Sequence, residues 1–504
     1  MEQLRELDER YLVAVDLGSS VIRLCVGHLS GDDIQVEFFK EAPSQGIRGS
    51  MIFNPRLVAG VVGSLVRDAE AALMIHITSV VVGLPRKDVV EITASMKLNR
   101  PDPDEYITGE EIEGLQDLAL DTYPLPSPGR QEIYGAVAQS FEIDEGLTLR
   151  ESEVVGTLGS SIEGRFKVFV GRRRATSALD KVFNKLGIAV ARRFFLPEVV
   201  PPVVLTEVER VGGTAVIDIG AGVTSVSIYQ DGALRHFASI PFGGNTVTGD
   251  IQTECSLSEE LAEKIKKRFG VCLPDRLGDL SEKVLDVRVS DPPMEIPVRF
   301  LSEIVDSRYR EILEAALYLI QESGLQDSIR GGIVLVGGCA EQNNIVPLLK
   351  DLSGYRVRKG RVRGPFTPAV GRGILSAANA SVLGMLLAAK DMQVADCVAH
   401  QEPEVLERDT VNTENREDES LLVEVAGGTG PSAPEDVNNG EEGTLFRTEE
   451  SEKDTRDGGK KGGRVKGGKK GAGMVKELTG QLSIIWETIE NKALEFYDFV
   501  SSDE

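Results

Sequence analysis

Two copies of one short pattern, set about 200 residues apart, constrain this chain more than any other feature. Val13-Ala-Val-Asp16-Leu-Gly18-Ser19-Ser20-Val21 is echoed by Val216-Ile-Asp218-Ile-Gly220-Ala-Gly222-Val223. Each copy is an apolar strand closed by an aspartate, then a glycine turn, then a second β-rich run at 22–26 or 225–229. A single copy would read as an ordinary β-turn with a capping aspartate. Two matched copies predict two similar lobes that face each other.

The turns carry the parts of an anion site. Gly18 lets backbone approach a ligand closely. Successive amides in such a turn form a concavity for anions, and Ser19 and Ser20 add hydroxyl donors. Asp16 would repel phosphate unless a cation lay between them. Magnesium, which keeps most of its waters, is the natural bridge. The second turn repeats the set with Asp218, Gly220, Gly222 and Thr224, so the pair suits a clamp on a magnesium-bound triphosphate. A third glycine turn, Gly337-Gly338-Cys339, follows the apolar run 333–336 and precedes a helical stretch at 345–352. It would let a flat ring lie against backbone, although strand-to-helix glycine turns are common in α/β proteins. Glu263 and Lys266 fall on one face of a helix predicted over 259–269. There they could hold ribose hydroxyls or form a solvated charge pair; taken alone, the spacing favours the charge pair.

Composition sets the bounds. The 504 residues are 41% apolar and 27% charged, enough for a substantial core and too long for one compact domain of ordinary size. A net charge of −24 argues against broad binding to nucleic acid. Residues 391–457 hold 20 acidic and 5 basic residues, a net of −15, so most of the excess acid lies in one stretch. Five cysteines lack C-x-x-C spacing and nearby histidines, which fits reduced cytosolic thiols. Residues 1–10 are polar, without the apolar core of a secretory signal. No apolar run reaches the roughly 20 residues that span a bilayer, so any membrane attachment is expected to be peripheral.

Residues 11–390 read as globular and mixed α/β. Strand-like runs at 11–15, 79–82, 215–219 and 333–336 end in glycine-rich turns, with helical periodicity at 57–73 and 303–321. Over 391–473 apolar residues thin out, and the composition predicts a disordered linker. Its last part turns basic, with Lys460, Lys461, Arg464, Lys466, Lys469 and Lys470 spaced by glycines. Periodicity returns over 474–500, where Leu478, Leu482, Ile485, Trp486, Ile489 and Phe496 fall on one stripe. The stripe predicts an amphipathic helix on a membrane surface. Burying three or four large side chains at ~1.5–3 kcal/mol each makes a reversible anchor. The basic run would meet anionic headgroups at roughly 1 kcal/mol per Lys or Arg. The polar face of the helix is acidic, which also suits docking onto a protein groove.

The order of two D-x-G hairpins, an E-x-x-K helix and a GG turn resembles the actin-like ATPase superfamily, and within it the FtsA family. Ile240, Pro241, Gly243, Gly244, Thr248, Asp250 and Ile251 resemble the family's I-P-x-G-G…T-x-D-I stretch. Ala262, Glu263, Ile265 and Lys266, followed by Phe269 and Gly270, resemble its A-E-x-I-K…Y-G. Leu205, Thr206 and Glu209 resemble its L-T-x-x-E segment, and residues 107–112 and 155–163 resemble the ends of its inserted subdomain.

The resemblance implies an α/β, two-lobed actin-like fold, a duplicated ribonuclease H-like arrangement. The first lobe would span 11–83 and 164–205, a small inserted α/β subdomain 84–163, and the second lobe 206–390, returning to the first lobe at its end. The implied ligands are ATP and magnesium. Asp16 and Asp218 would position the metal and its waters. Gly18, Ser19, Ser20 and Arg23 would form the first phosphate loop, and Gly220, Gly222 and Thr224 the second, with Gly243 and Gly244 beside them. Glu263 and Lys266 would hold ribose, and Gly337, Gly338 and Cys339 would line adenine. The implied role is a division scaffold on the cytoplasmic face of the cell membrane, at the division site. It would self-associate into filaments and bind the C-terminal peptide of FtsZ and other division proteins, and no nucleic acid.

Departures from the family pattern bear on turnover. Val21 stands where the family often has Lys, Arg23 keeps a charge usually supplied by Lys, and Ser225 replaces a common Asp. Leu196 precedes Pro197 where chaperone and MreB relatives carry a Glu that positions the attacking water, and Glu198 is a possible substitute. Nucleotide binding with slow or negligible hydrolysis is therefore expected. PilM-type adaptors of pilus assembly, and active sugar kinases or chaperone ATPases, share the hairpins and stand as alternatives.

Overall fold

The computed structural model describes residues 10–144, 146–287 and 294–399. Nearly all of the linker expected over 391–473, and the whole membrane-seeking helix expected over 474–500 with its stripe from Leu478 to Phe496, lie outside the described residues.

The first lobe opens with three antiparallel strands, β1 (Tyr11–Leu17), β2 (Val21–Ser30) and β3 (Asp33–Pro43). β1 is buried at four successive positions, Leu12 to Val15, which marks a central strand covered on both faces. Helix α1 (Pro55–Leu73) follows, started by Asn54, whose side chain accepts from the amides of Arg56 and Leu57. It buries Val58, Val62, Leu65 and Ala69 at helical spacing and leads into β4 (Ser79–Gly83), which runs parallel to β1.

An insertion comes next: β5 (Val90–Asn99), α2 (Gly109–Thr122), β6 (Gln131–Ile143), β7 (Leu147–Leu149) and β8 (Ser161–Arg172). These strands form an antiparallel sheet in the order β7-β6-β8-β5. A capping box between Thr108 and Glu111 starts α2. Its Ile112, Leu115 and Ala119 close a separate core with Phe141, Ile162 and Phe166. The chain then returns to the first lobe through α3 (Arg173–Leu186), β9 (Ala189–Phe194) and α4 (Leu196–Val204).

The second lobe repeats the plan with β10 (Thr214–Ile219), β11 (Thr224–Gln230), β12 (Ala233–Ile240), α5 (Gly244–Glu254), α6 (Glu259–Phe269), α7 (Val298–Glu322), β13 (Ile333–Val336), α8 (Ile345–Ser353) and β14 (Val357–Lys359). Finally β15 (Phe366–Pro368) and α9 (Ala380–Asp391) come back to the first lobe, where Leu383 and Leu386 join the core of β1.

The sheet orders are β9-β4-β1-β2-β3-β15 and β12-β11-β10-β13-β14. Without the late-arriving β15, each reads third, second, first, fourth, fifth, with the first three strands antiparallel and the last two parallel. This is the duplicated actin-like architecture, with a separate core around each sheet.

The insertion also reaches the second lobe. The Gln139 amide donates to Leu234 O at 3.0 Å, and Arg235 Nη1 donates to Gln139 O at 2.7 Å. The Phe237 amide donates to Glu91 at 2.8 Å, and Arg150 pairs with Asp231 at 2.9 Å. Phe169, Phe195 and Phe237 meet at the junction, with ring centres 4.8 and 5.1 Å apart along the chain of contacts. Among the described residues, no helix is long and apolar enough to cross a membrane.

Candidate functional site

Both repeated hairpins end at one cavity of about 590 Å³, a size typical of small-molecule sites. In the first, Leu17 pairs with Ile22 and leaves residues 18–21. In the second, Ile219 pairs with Thr224 and leaves residues 220–223. Asp16 and Asp218, the last-but-one residues of β1 and β10, both line the cavity.

The two turns press close together. A Cβ built on Gly222 would fall 2.9 Å from both Ser19 Oγ and Gly49 Cα, so only glycine admits this approach. Ser19 Oγ accepts from the Ser50 amide at 2.9 Å. At the start of α5, the amides of Gly244 and Asn245 donate to Gly220 O at 3.0 Å and Ala221 O at 2.7 Å, which fixes the second turn. The amides of Gly18, Ser19, Ser20, Ala221 and Gly222 donate to no described residue. Unsatisfied amides on facing turns form an anion-binding concavity.

The charges are arranged in pairs. Arg23 Nη1 lies 3.5 Å from Asp16, and its Nε 3.2 Å from Glu41, both within the first-lobe sheet. Arg86, three residues past β4, crosses to the second lobe and forms an ion pair with Asp218. Burial pushes the Asp16 carboxyl above its ordinary range, Arg23 and Arg86 pull it back, and the charge of Asp218 adds to the rise. The two aspartates thus sense each other electrostatically.

The far wall is built by α5, α6 and the third glycine turn. Lys266 is only 5% exposed. Its Nζ donates to Gly244 O at 2.8 Å and Thr248 Oγ1 at 2.8 Å, and lies 2.6 Å from Glu263. The Glu263–Lys266 pair is therefore a buried network on the cavity wall and not a solvated surface pair. Burial opposes ionisation of Glu263, but Lys266, Thr248 and Lys267 outweigh it and hold the carboxyl below its ordinary range. Gly337 has φ +86°, and a Cβ there would sit 2.5 Å from Asp218 Oδ1, so this backbone closely approaches the second aspartate. Gly338 and Cys339 line the same wall. The Cys339 thiol donates to Gly220 O at 3.4 Å, and burial raises its pKa, which leaves it neutral.

Of the residues predicted from sequence, Asp16, Gly18, Ser19, Ser20, Arg23, Asp218, Gly220, Gly222, Gly244, Glu263, Lys266, Gly337, Gly338 and Cys339 line the cavity. Thr224 and Gly243 stand behind its wall. The Thr224 hydroxyl donates to Phe242 O at 2.8 Å, and the Gly243 backbone packs against Gly220 O. Glu198 is not among the lining residues; its carboxyl points at Gly135 of the insertion, while Leu196 lines the cavity in its place. Arg86 was not predicted. Its one sequence signal is position, just past the carboxyl end of a parallel strand, where α/β sheets place ligand-facing residues. Among the described residues, no three His, Cys, Asp or Glu side chains cluster as metal ligands. The two aspartates alone suit a hydrated hard cation better than a bare metal cage.

A family profile described as "Cell division protein FtsA" matches residues 215–384. The protein of that name from Neisseria meningitidis serogroup B is 30% identical over 381 residues, covering 73% of this chain and 90% of that protein. Its namesake from Pseudomonas aeruginosa is 27% identical over 353 residues, covering 70% and 83%. Among solved structures, a chain of the "PilM-PilN type IV pilus biogenesis complex" aligns with a TM-score of 0.49 at 15% identity, covering 76% of this chain and 98% of that one.

Proposed function

Because the chain belongs to the FtsA family of cell-division proteins, we propose that it is an ATP-binding, actin-like scaffold that polymerises and tethers FtsZ to the inner face of the membrane. One observation carries the nucleotide part: the aspartates that end two equivalent hairpins reach a single cavity. The residues there fit a magnesium-bound triphosphate. The amides of Gly18, Ser19, Ser20, Ala221 and Gly222, which donate to no described residue, supply donors for phosphate oxygens. Asp16 and Asp218 would hold magnesium through its waters, and the bound metal would neutralise phosphate charge between the lobes. Glu263 and Lys266 would take ribose hydroxyls. Gly337, Gly338 and Cys339 offer a flat wall for adenine.

Hydrolysis in this reading is slow. Leu196 cannot orient a water, and Glu198 is turned away toward Gly135. The insertion would serve filament contacts. Residues 474–500, with Leu478, Leu482, Ile485, Trp486, Ile489 and Phe496, would fasten the filament to lipid, and the body would bind the C-terminal peptide of FtsZ. The test is co-sedimentation of FtsZ with anionic liposomes in magnesium-ATP, comparing the full chain with one ending at Gly473. The full chain should carry FtsZ down with lipid and the shortened chain should leave it in solution. Equal lipid binding by both would refute the tether, and absence of FtsZ from the pellet would refute the partner.

A further inference from the structure

Among the described residues, four basic ones line the cavity: Arg23, Arg86, Lys266 and Lys267. Three are committed within their own lobe. Arg23 is shared between Asp16 and Glu41 of the first-lobe sheet. Lys266 has an acceptor for each of its three donors in Gly244, Thr248 and Glu263. Lys267 lies 3.2 Å from Glu263 and is largely in solvent. Arg86 differs from all of these. It follows β4, the strand beside β1, yet its guanidinium is held by Asp218 of the opposite lobe.

The surroundings fix Arg86 well. The Leu84 amide donates to Phe194 O at 2.8 Å, and Pro85 stiffens the next step. Ser239 Oγ donates to Arg86 O at 2.8 Å, so the second lobe also grips its backbone. Nη1 lies 3.4 Å from Ser225 Oγ, and Nη2 lies 3.4 Å from the position a Cβ on Gly220 would take. The guanidinium therefore borders the second turn and its unsatisfied amides. The side chains of Arg86 and Asp218 are only 15% and 9% exposed. A cation this buried needs an anion at all times, because an unpaired buried charge is strongly unfavourable.

We propose that Arg86 is the residue by which the cleft distinguishes a nucleoside triphosphate from a diphosphate. It pairs with Asp218 in this structure, and with that carboxylate given over to hydrated magnesium it would pair with the terminal phosphate instead. The proposal rests on the nucleotide reading above and adds a specificity-determining residue to it. Its chemical basis is exchange of one anion for another. Were Asp218 to hold hydrated magnesium, its carboxylate would no longer be free for Arg86, and a terminal phosphate would supply the replacement anion. A planar guanidinium offers a phosphate two parallel donors, which an ammonium does not. A diphosphate supplies no anion at that place, so Arg86 stays with Asp218 and discriminates against a shorter ligand.

Equilibrium titration of the full chain with fluorescent ATP and ADP analogues in magnesium tests this, using wild type, Arg86→Ala and Arg86→Lys. The Arg86→Ala change should weaken the triphosphate 10–100-fold and the diphosphate less than 3-fold, as expected for loss of one charge-assisted contact. Arg86→Lys keeps the charge without the planar fork, and should lower triphosphate affinity by a smaller factor with the diphosphate unchanged. An equal loss for both ligands in both variants would make Arg86 a strut between lobes and overturn the proposal. A gain for both would make it a competitor for Asp218 and overturn it equally. A wild-type chain that binds neither ligand would defeat the nucleotide reading itself, a result distinct from either.

Discussion

Replacing Glu198 by Gln should change how stability depends on pH while leaving the cleft alone. The Glu198 carboxyl packs against Gly135, and its Oε1 is buried without a hydrogen-bond partner. Burial pushes its pKa up from the ordinary 4.5 to about 8, with Arg192 pulling only weakly the other way. A folded-state value above the unfolded one means stability is intact below about pH 4.5, where both states hold the proton. As pH rises toward 8 the unfolded chain ionises while the folded chain keeps its proton, and stability falls. Above 8 the loss is complete. At roughly 1.4 kcal/mol for each pH unit crossed, the ceiling is ~5 kcal/mol. Water admitted by local opening reduces this to about 2–4 kcal/mol. A glutamine has the shape of the protonated acid and does not titrate, so Glu198→Gln should match wild type near pH 5 and exceed it by about that amount at pH 8. Urea unfolding of the full chain and the variant at pH 5, 6, 7 and 8 measures the difference. Parallel curves for the two proteins would show that Glu198 ionises normally and would refute the reasoning.

Two further outcomes follow from the geometry. Gly222→Val places two methyl groups against Ser19 and Gly49, so it should lower ATP affinity at least tenfold in a fluorescence titration while circular dichroism stays unchanged. Phe166→Ala removes a fully buried ring from the core of the insertion, at a cost of about 3–5 kcal/mol; hydrogen exchange should speed up across 90–172 and stay at the wild-type rate in β1 and β10.

The lobes were legible because buried strands advertise themselves. The apolar run read at 11–15 extends in the structure to Leu17, and the helix read at 259–269 has those ends. The duplicated aspartate and glycine spacing also located both turns, since backbone that must approach a ligand leaves glycines at fixed offsets. The remaining features depend on partners distant in sequence. Spacing alone made Glu263 and Lys266 a surface pair, but Gly244 O and the Thr248 hydroxyl, on a different helix, draw Lys266 inside. Arg86 belongs to no motif; it matters because the fold brings it to Asp218. Thr224 looked like a ligand group, yet its hydroxyl is used by Phe242 O. Glu198 looked like a stand-in for a hydrolytic acid, yet α4 turns it toward Gly135.

The bonds joining Gln139 to Leu234 and Arg235, and Glu91 to Phe237, make the insertion a brace with one foot on each lobe. A brace of that kind cannot remain still when its footings rotate. Any change in the angle between the lobes must either shear those three hydrogen bonds or swing the outer edge of the insertion through a longer arc. A rearrangement confined to the cleft would thereby be geared to the periphery of the molecule, the part that would meet a neighbour in the proposed filament.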